Sequence, residues 1–225
     1  MANSKQKPDT VLIKAPERFT EERFHLLCDE LASRDESLRR IIRDHGYPPL
    51  WVRTNSFATL VLTILEQQVS LASAYAAFKK LKERMGTILP EAFLKLDDEA
   101  LRLCYFSRQK IIYTRELANA IVSGQISLRK LYHQDEETVR TTLKKIKGIG
   151  DWTVDIYLLH ALRRTNVFPV GDLALVNAIK SVKECPSATK EDLVALSASW
   201  KPYRSIASML FWHYYIKKKN IRLVH

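Results

Sequence analysis

The chain has 225 residues, 46% hydrophobic and 27% charged, with a net charge of +11. Three widely spaced cysteines exclude a disulfide framework, a zinc site and a four-cysteine iron–sulfur cluster. The positive excess points to a polyanionic partner, nucleic acid before membrane, and only 6 glycines and 8 prolines leave most of the chain free to be helical.

Residues 1–9 form a polar lead with no apolar signal core, and the chain up to about Pro16 reads as a loose tail. No apolar run is long enough to span a bilayer, so the expectation is a cytoplasmic protein, or a nuclear one in a eukaryote. Helical patterns are predicted over 21–33 and 37–45. The segment GYPPLW at 46–51 reads as a rigid connector, because paired prolines cannot continue a helix. Phe57, Leu60, Val61, Ile64 and Leu65 fall at helical spacing, and Leu62 widens the apolar face, which predicts a buried helix. A second helix over 71–85 stops at Gly86. Further helices are predicted over 90–96, 98–104, 108–123 and 135–146, and then over 152–163, 173–182, 190–199 and 202–217. Thr189 with Asp192 forms a candidate capping box. No stretch alternates with period two, and Leu223 with Val224 are too few for a strand. The fold class is all-α, with many short helices in one or two lobes.

The most informative stretch is IKGIGDWTVDIYLL at 146–159. Gly148 and Gly150 can take backbone angles that other residues avoid. Leu143, Ile146 and Ile149 anchor the turn, and the helix from Asp151 begins with free N–H groups beside Lys144, Lys145 and Lys147. Helix, glycine hairpin, helix suits a grip on a nucleic-acid backbone without sequence reading. An ordinary helix–helix turn accounts for the same residues equally well.

The wider stretch LKKIKGIGDWTVDIYLLHAL resembles the helix-hairpin-helix signature, and VFPVGDLALVNAI follows with Asp172 at a loop-to-helix junction. ILEQQVS (64–70), FSRQKIIYTRELA (106–118) and WKPYRSIASMLFWHYY (200–215) extend the match. Together they resemble the helix-hairpin-helix DNA glycosylase superfamily, and within it the DNA-3-methyladenine glycosylase II family. The likeness runs over about 24–215, in a compact form without the N-terminal β domain of larger members. It implies one all-α domain over 17–225, with two helical lobes, the hairpin at about 143–151 and the active-site cleft between the lobes. It implies a monofunctional enzyme of base excision repair that flips out alkylated bases such as 3-methyladenine and 7-methylguanine and hydrolyses their N-glycosidic bonds. The implied partner is double-stranded DNA containing alkylated bases, met by a monomer with no membrane role. No cofactor is required beyond a structural Na+ or K+ on the hairpin carbonyls of Lys144, Lys147 and Ile149.

The resemblance also assigns roles. Asp172 is the catalytic carboxylate, although a helix N-cap is the commoner use of Asp at such a place. Trp152 stands where bifunctional relatives carry a Schiff-base lysine, which implies water as the nucleophile. Trp152, Trp212 and Tyr203 line the base pocket, with Tyr214 and Tyr157 as lesser candidates; aromatic faces attract a methylated, positively charged base. Ile156 stands where the family can carry tyrosine. Gln68, with Gln67 beside it, is the wedge that fills the gap left by a flipped base. Lys145, Lys147, Gly148, Ile149, Gly150, Ser70 and Arg108 contact the DNA backbone, and Ser107 and Lys110 either touch phosphates or start a helix. Lys147 replaces the proline usual in the hairpin. The six histidines show no metal-ligand spacing and read as surface or core residues. Two alternatives stand beside this reading. One is a glycosylase of the same fold for deaminated, etheno or oxidised bases; the other is a non-catalytic DNA clamp.

Overall fold

The structure is a computed structural model that describes residues 17–221. The tail expected over 1–16 and the pair Leu223 and Val224 lie outside the described residues. Helices α1 (Glu21–Arg34), α2 (Glu36–His45), α3 (Phe57–Glu66), α4 (Leu71–Met85), α5 (Pro90–Phe93), α6 (Asp98–Leu103) and α7 (Arg108–Val122) come first. They are followed by α8 (Leu128–His133), α9 (Glu136–Leu143), α10 (Asp151–His160), α11 (Leu173–Val182), α12 (Lys190–Leu196), a 3-10 turn (Ser197–Trp200) and α13 (Arg204–Lys218). Among the described residues the sole β pairing is one antiparallel bridge between Arg18 and Arg164.

Local chemistry explains most helix starts. Asp35, Ser56, Ser70, Asp97, Ser107, Ser127, Asp135, Asp172 and Thr189 each accept an N–H from the first turn that follows. The Thr189–Asp192 capping box forms in both directions. α8 is absent from the sequence reading, because a single buried residue, Leu131, leaves no period to recognise. The helix expected over 135–146 ends at Leu143, where the chain turns into the hairpin. The one expected over 190–199 tightens into the 3-10 turn after Leu196.

The helices sort into two lobes. α3 packs on α4 and α7, and α5 and α6 pack on α7. α1, α2 and α11 pack on α13, and α1 on α2, with the 3-10 turn against α13. α10 touches α3 and α9, and its residues from Thr153 to His160 are all buried. A helix buried on all sides belongs in an interior, with its polar side chains Thr153, Asp155 and His160 each bonded to a partner, and its first turn opens where the two lobes meet. Trp200 is fully buried and donates its indole N–H to Asp35, whose carboxylate also takes the Lys183 ammonium at 2.7 Å. Burial pushes Asp35 upward, but these two donors outweigh it and hold its pKa below the usual value. Among the described residues no helix is long and apolar enough to cross a membrane, and no group of three or more His, Cys, Asp or Glu side chains could hold a metal.

Candidate active site

α9, the turn 144–150 and α10 form the hairpin. Leu143, Ile146 and Ile149 are buried at three-residue spacing, and each of the last two donates its N–H to the carbonyl three residues back. Gly148 sits at φ +88°, and a Cβ there would overlap the Tyr113 ring of α7. Gly150 differs from expectation: its φ is −102°, which any residue adopts. Its missing side chain instead leaves open space beside the first turn of α10, whose N–H groups have no side-chain cap. Asp151 lies in that turn, and Lys144 pairs with it at 2.6 Å. An uncapped N-terminus with exposed lysines nearby can take a phosphate oxygen.

Asp172 caps α11 and does more. Its Oδ1 accepts from Leu175 N at 2.8 Å and from Trp212 Nε1 at 3.0 Å; its Oδ2 accepts from Trp152 Nε1 at 2.9 Å. Oδ1 has used both lone pairs, and Oδ2 keeps one for a further partner. The structure thus brings Trp152, Asp172 and Trp212 together from α10, the N-terminus of α11 and α13. The indole edges orient the carboxylate, a task that the sequence reading did not assign to them. The loop that delivers Asp172 is fastened to α13 by buried Ser205, which donates to Arg164 O at 2.6 Å and accepts from Val167 N at 2.9 Å. Arg204 adds bonds to Asn166. Ser205 and Trp212 are seven residues apart, so one face of α13 holds both loop and pocket.

The other expected site residues divide. Gln68 is exposed at the end of α3 with φ +56°, next to exposed Val69 and Leu71. Gln67 turns away from any wedge position: its Nε2 donates to Gly148 O at 2.8 Å and Thr153 Oγ1 at 2.9 Å, bracing the hairpin. Tyr203 is not brought to the tryptophan pair; it precedes α13 without a side-chain capping bond, beside α1, with the Arg34 guanidinium 5.8 Å from its ring. Tyr157 is buried with its hydroxyl on Asn55, and Tyr214 bonds Ser181 and Lys218, so neither joins the pair. Ser70 caps α4 and Ser107 caps α7. Lys110 donates to Leu65 O at 2.6 Å and so closes the C-terminus of α3 rather than reaching a phosphate; burial lowers its pKa. Arg108, Lys145, Lys147 and Gly150 are exposed, Gly148 is partly so, and Ile149 is buried.

Sequence reasoning missed Leu173, which is 76% exposed beside Asp172, and His160, which stacks on Trp212. An apolar residue directly after a cap was a signal for the first; nothing local marked the second. Arg140 of α9 reaches Asp155 of α10 at 2.6 Å and clamps the two hairpin helices together. Burial outweighs that partner and pushes Asp155 up to about 6.

We expect Gln67→Ala to strand Gly148 O and Thr153 Oγ1 without a donor. The cost is about 1–3 kcal/mol, read as a fall in Tm of roughly 2–4 °C for each kcal/mol. An unchanged Tm would show that the hairpin needs no brace.

Comparison with known proteins places the chain. The sequence profile described as HhH-GPD superfamily base excision DNA repair protein matches residues 61–202, more than half of the chain. YfjP of Bacillus subtilis is 34% identical over 185 residues, covering 78% of this chain; the chain spans 64% of that protein's length. DNA-3-methyladenine glycosylase 1 of Schizosaccharomyces pombe is 29% identical over 190 residues, covering 81% of this chain and 83% of that protein. The solved structure of the S. pombe 3-methyladenine DNA glycosylase Mag1 in complex with abasic DNA superposes with a TM-score of 0.79 at 27% identity, covering 89% of this chain and all of that one.

Proposed function

This chain belongs to the HhH-GPD superfamily of base excision DNA repair proteins, and from that footing we propose that it is a monofunctional DNA glycosylase for alkylated bases such as 3-methyladenine and 7-methylguanine. The observation that carries the reading is the Asp172 carboxylate held between two indole N–H groups, next to an uncapped helix N-terminus. The relatives named for 3-methyladenine support the substrate class.

In this reading double-stranded DNA lies across the mouth between the lobes. The open turn of α10 and the hairpin lysines take its phosphates, and Gln68 enters the gap left by the extruded nucleotide. The base stacks against the tryptophans. Its N-glycosidic bond breaks with the electron pair leaving on the base, so a cationic base departs neutral and needs no strong acid. Positive charge builds on the sugar, where the free lone pair of Asp172 Oδ2 opposes it and steers water. The water oxygen bonds to C1′ and passes its proton to the Asp172 carboxylate, which returns it to solvent. Trp152 offers no amine, so no Schiff base forms and the strand stays whole.

We also propose that Na+ or K+ sits on the hairpin carbonyls of Lys144, Lys147 and Ile149. No backbone N–H among the described residues donates to these three. Exchange of both ions for choline should then lower Tm, and an unchanged Tm would remove the ion from the scheme.

The whole reading is tested by incubating the protein with methylated duplex DNA. Released 3-methyladenine or 7-methylguanine is expected, with abasic sites that break only on alkali treatment. Tight binding with no released base would leave a DNA clamp instead.

A further inference from the structure

Behind the Trp212 indole lies a histidine that none of the chemistry above uses. His160 closes α10, is 8% exposed, and stacks on Trp212 with ring centroids 5.6 Å apart and planes 22° from parallel. Its Nδ1 lies 2.6 Å from Trp51 O. A carbonyl only accepts, so Nδ1 carries the hydrogen and Nε2 of the neutral ring keeps its lone pair. The charged group that acts on this ring is the Arg53 guanidinium, itself paired with Glu66 at 2.5 Å. Burial first, and Arg53 second, push the His160 pKa down to about 3. The Trp51 carbonyl favours the charged ring, but it offsets only part of that cost, and no carboxylate adds to it.

We propose that His160 is a positioning residue for the excision of cationic bases: its neutral ring covers one face of Trp212, holds the indole with its N–H on Asp172, and keeps positive charge out of the layer behind the face left for the base. The inference rests on the alkylated-base reading of the site and deepens it. A methylated purine cation would then meet two stacked electron-rich rings. An imidazolium in the same place would repel that cation through the indole.

Two substitutions separate positioning from mere filling. His160→Phe keeps a flat ring without its N–H, and His160→Gln keeps an N–H for Trp51 O without the ring. Four readouts apply: kcat and KM for 7-methylguanine release from pH 5.5 to 8, affinity for an abasic-site duplex, Tm, and tryptophan emission over the same pH range. In the wild type neither release nor emission should show a midpoint near 6.5. His160→Gln should lose roughly tenfold in kcat with affinity for abasic DNA retained, and His160→Phe should recover most of that loss. A wild-type midpoint near 6.5 that His160→Phe abolishes would overturn the proposal. So would equal losses of kcat, abasic-DNA affinity and Tm in both variants, the mark of a purely structural residue. Failure of the wild type to release any methylated base would defeat the parent reading and this one with it. That failure is told apart from an error about His160 because the emission titration needs no substrate.

Discussion

Replacing Asp172 by Asn should lower base release by about a thousandfold or more in kcat while binding to duplex DNA persists. Two opposite unit charges 4 Å apart at an effective dielectric of about 20 attract by roughly 4 kcal/mol, which is about three powers of ten in rate. Asn is nearly isosteric but brings no charge to the sugar. It also breaks the local arrangement. Asp172 accepts three N–H groups, two on Oδ1 and one on Oδ2. An amide has one acceptor oxygen, so its NH2 must face at least one of those donors in either orientation. An accompanying stability loss of about 1–3 kcal/mol is therefore expected. Single-turnover release of 7-methylguanine, with a binding titration on the same duplex, checks both parts. If the variant keeps more than a tenth of wild-type release, Asp172 is a helix cap and the chemistry lies elsewhere.

Gly148→Ala should be the most damaging small substitution in the hairpin. The backbone there is in the left-handed region at φ +88°, which costs an L-residue of order 1–3 kcal/mol. The new methyl group would also meet the Tyr113 ring, held in turn by a Gln109 bond at 2.5 Å. Overpacking of that kind costs a further 1–3 kcal/mol or so. The sum, about 2–6 kcal/mol, should appear as a large fall in Tm together with weaker DNA binding, since Gly148 O is where Gln67 braces the turn. Gly150→Ala provides the contrast. Its φ is ordinary and nothing lies within 4 Å of the added methyl, so folding should survive, and any defect should appear as reduced affinity for duplex DNA. Equal Tm values for the two variants would refute the distinction between these glycines.

Those two glycines show how the legible and the illegible divide. From sequence they are alike, two residues of a Gly-x-Gly turn. Only the packing of α7 against the hairpin makes one conformationally indispensable and the other a matter of access. The two glutamines divide the same way. Gln67 and Gln68 are adjacent and chemically identical, yet the end of α3 aims one at Gly148 and Thr153 and leaves the other exposed at φ +56°. Lys110 lies within a stretch that matched the family and still spends its charge on the Leu65 carbonyl.

What the sequence determined by itself is what nearest neighbours along the chain decide. Side-chain caps at helix starts, apolar spacing in α3 and α11 and the breaks at 46–51 and Gly86 act over three or four residues, where a few hydrogen bonds and one buried stripe settle the outcome. They sufficed for an all-α chain, a hairpin before a buried helix and an aspartate at a helix start. The tertiary structure decided the site. Trp152, Asp172 and Trp212 are joined across 20 and 40 residues, and Ser205 fastens the Asp172 loop from 38 and 41 residues away. No local preference encodes such distances. They are set by which lobe each helix buries its apolar face against, and that choice turned Tyr203 toward α1 and placed His160, unmarked in the sequence, against the Trp212 indole.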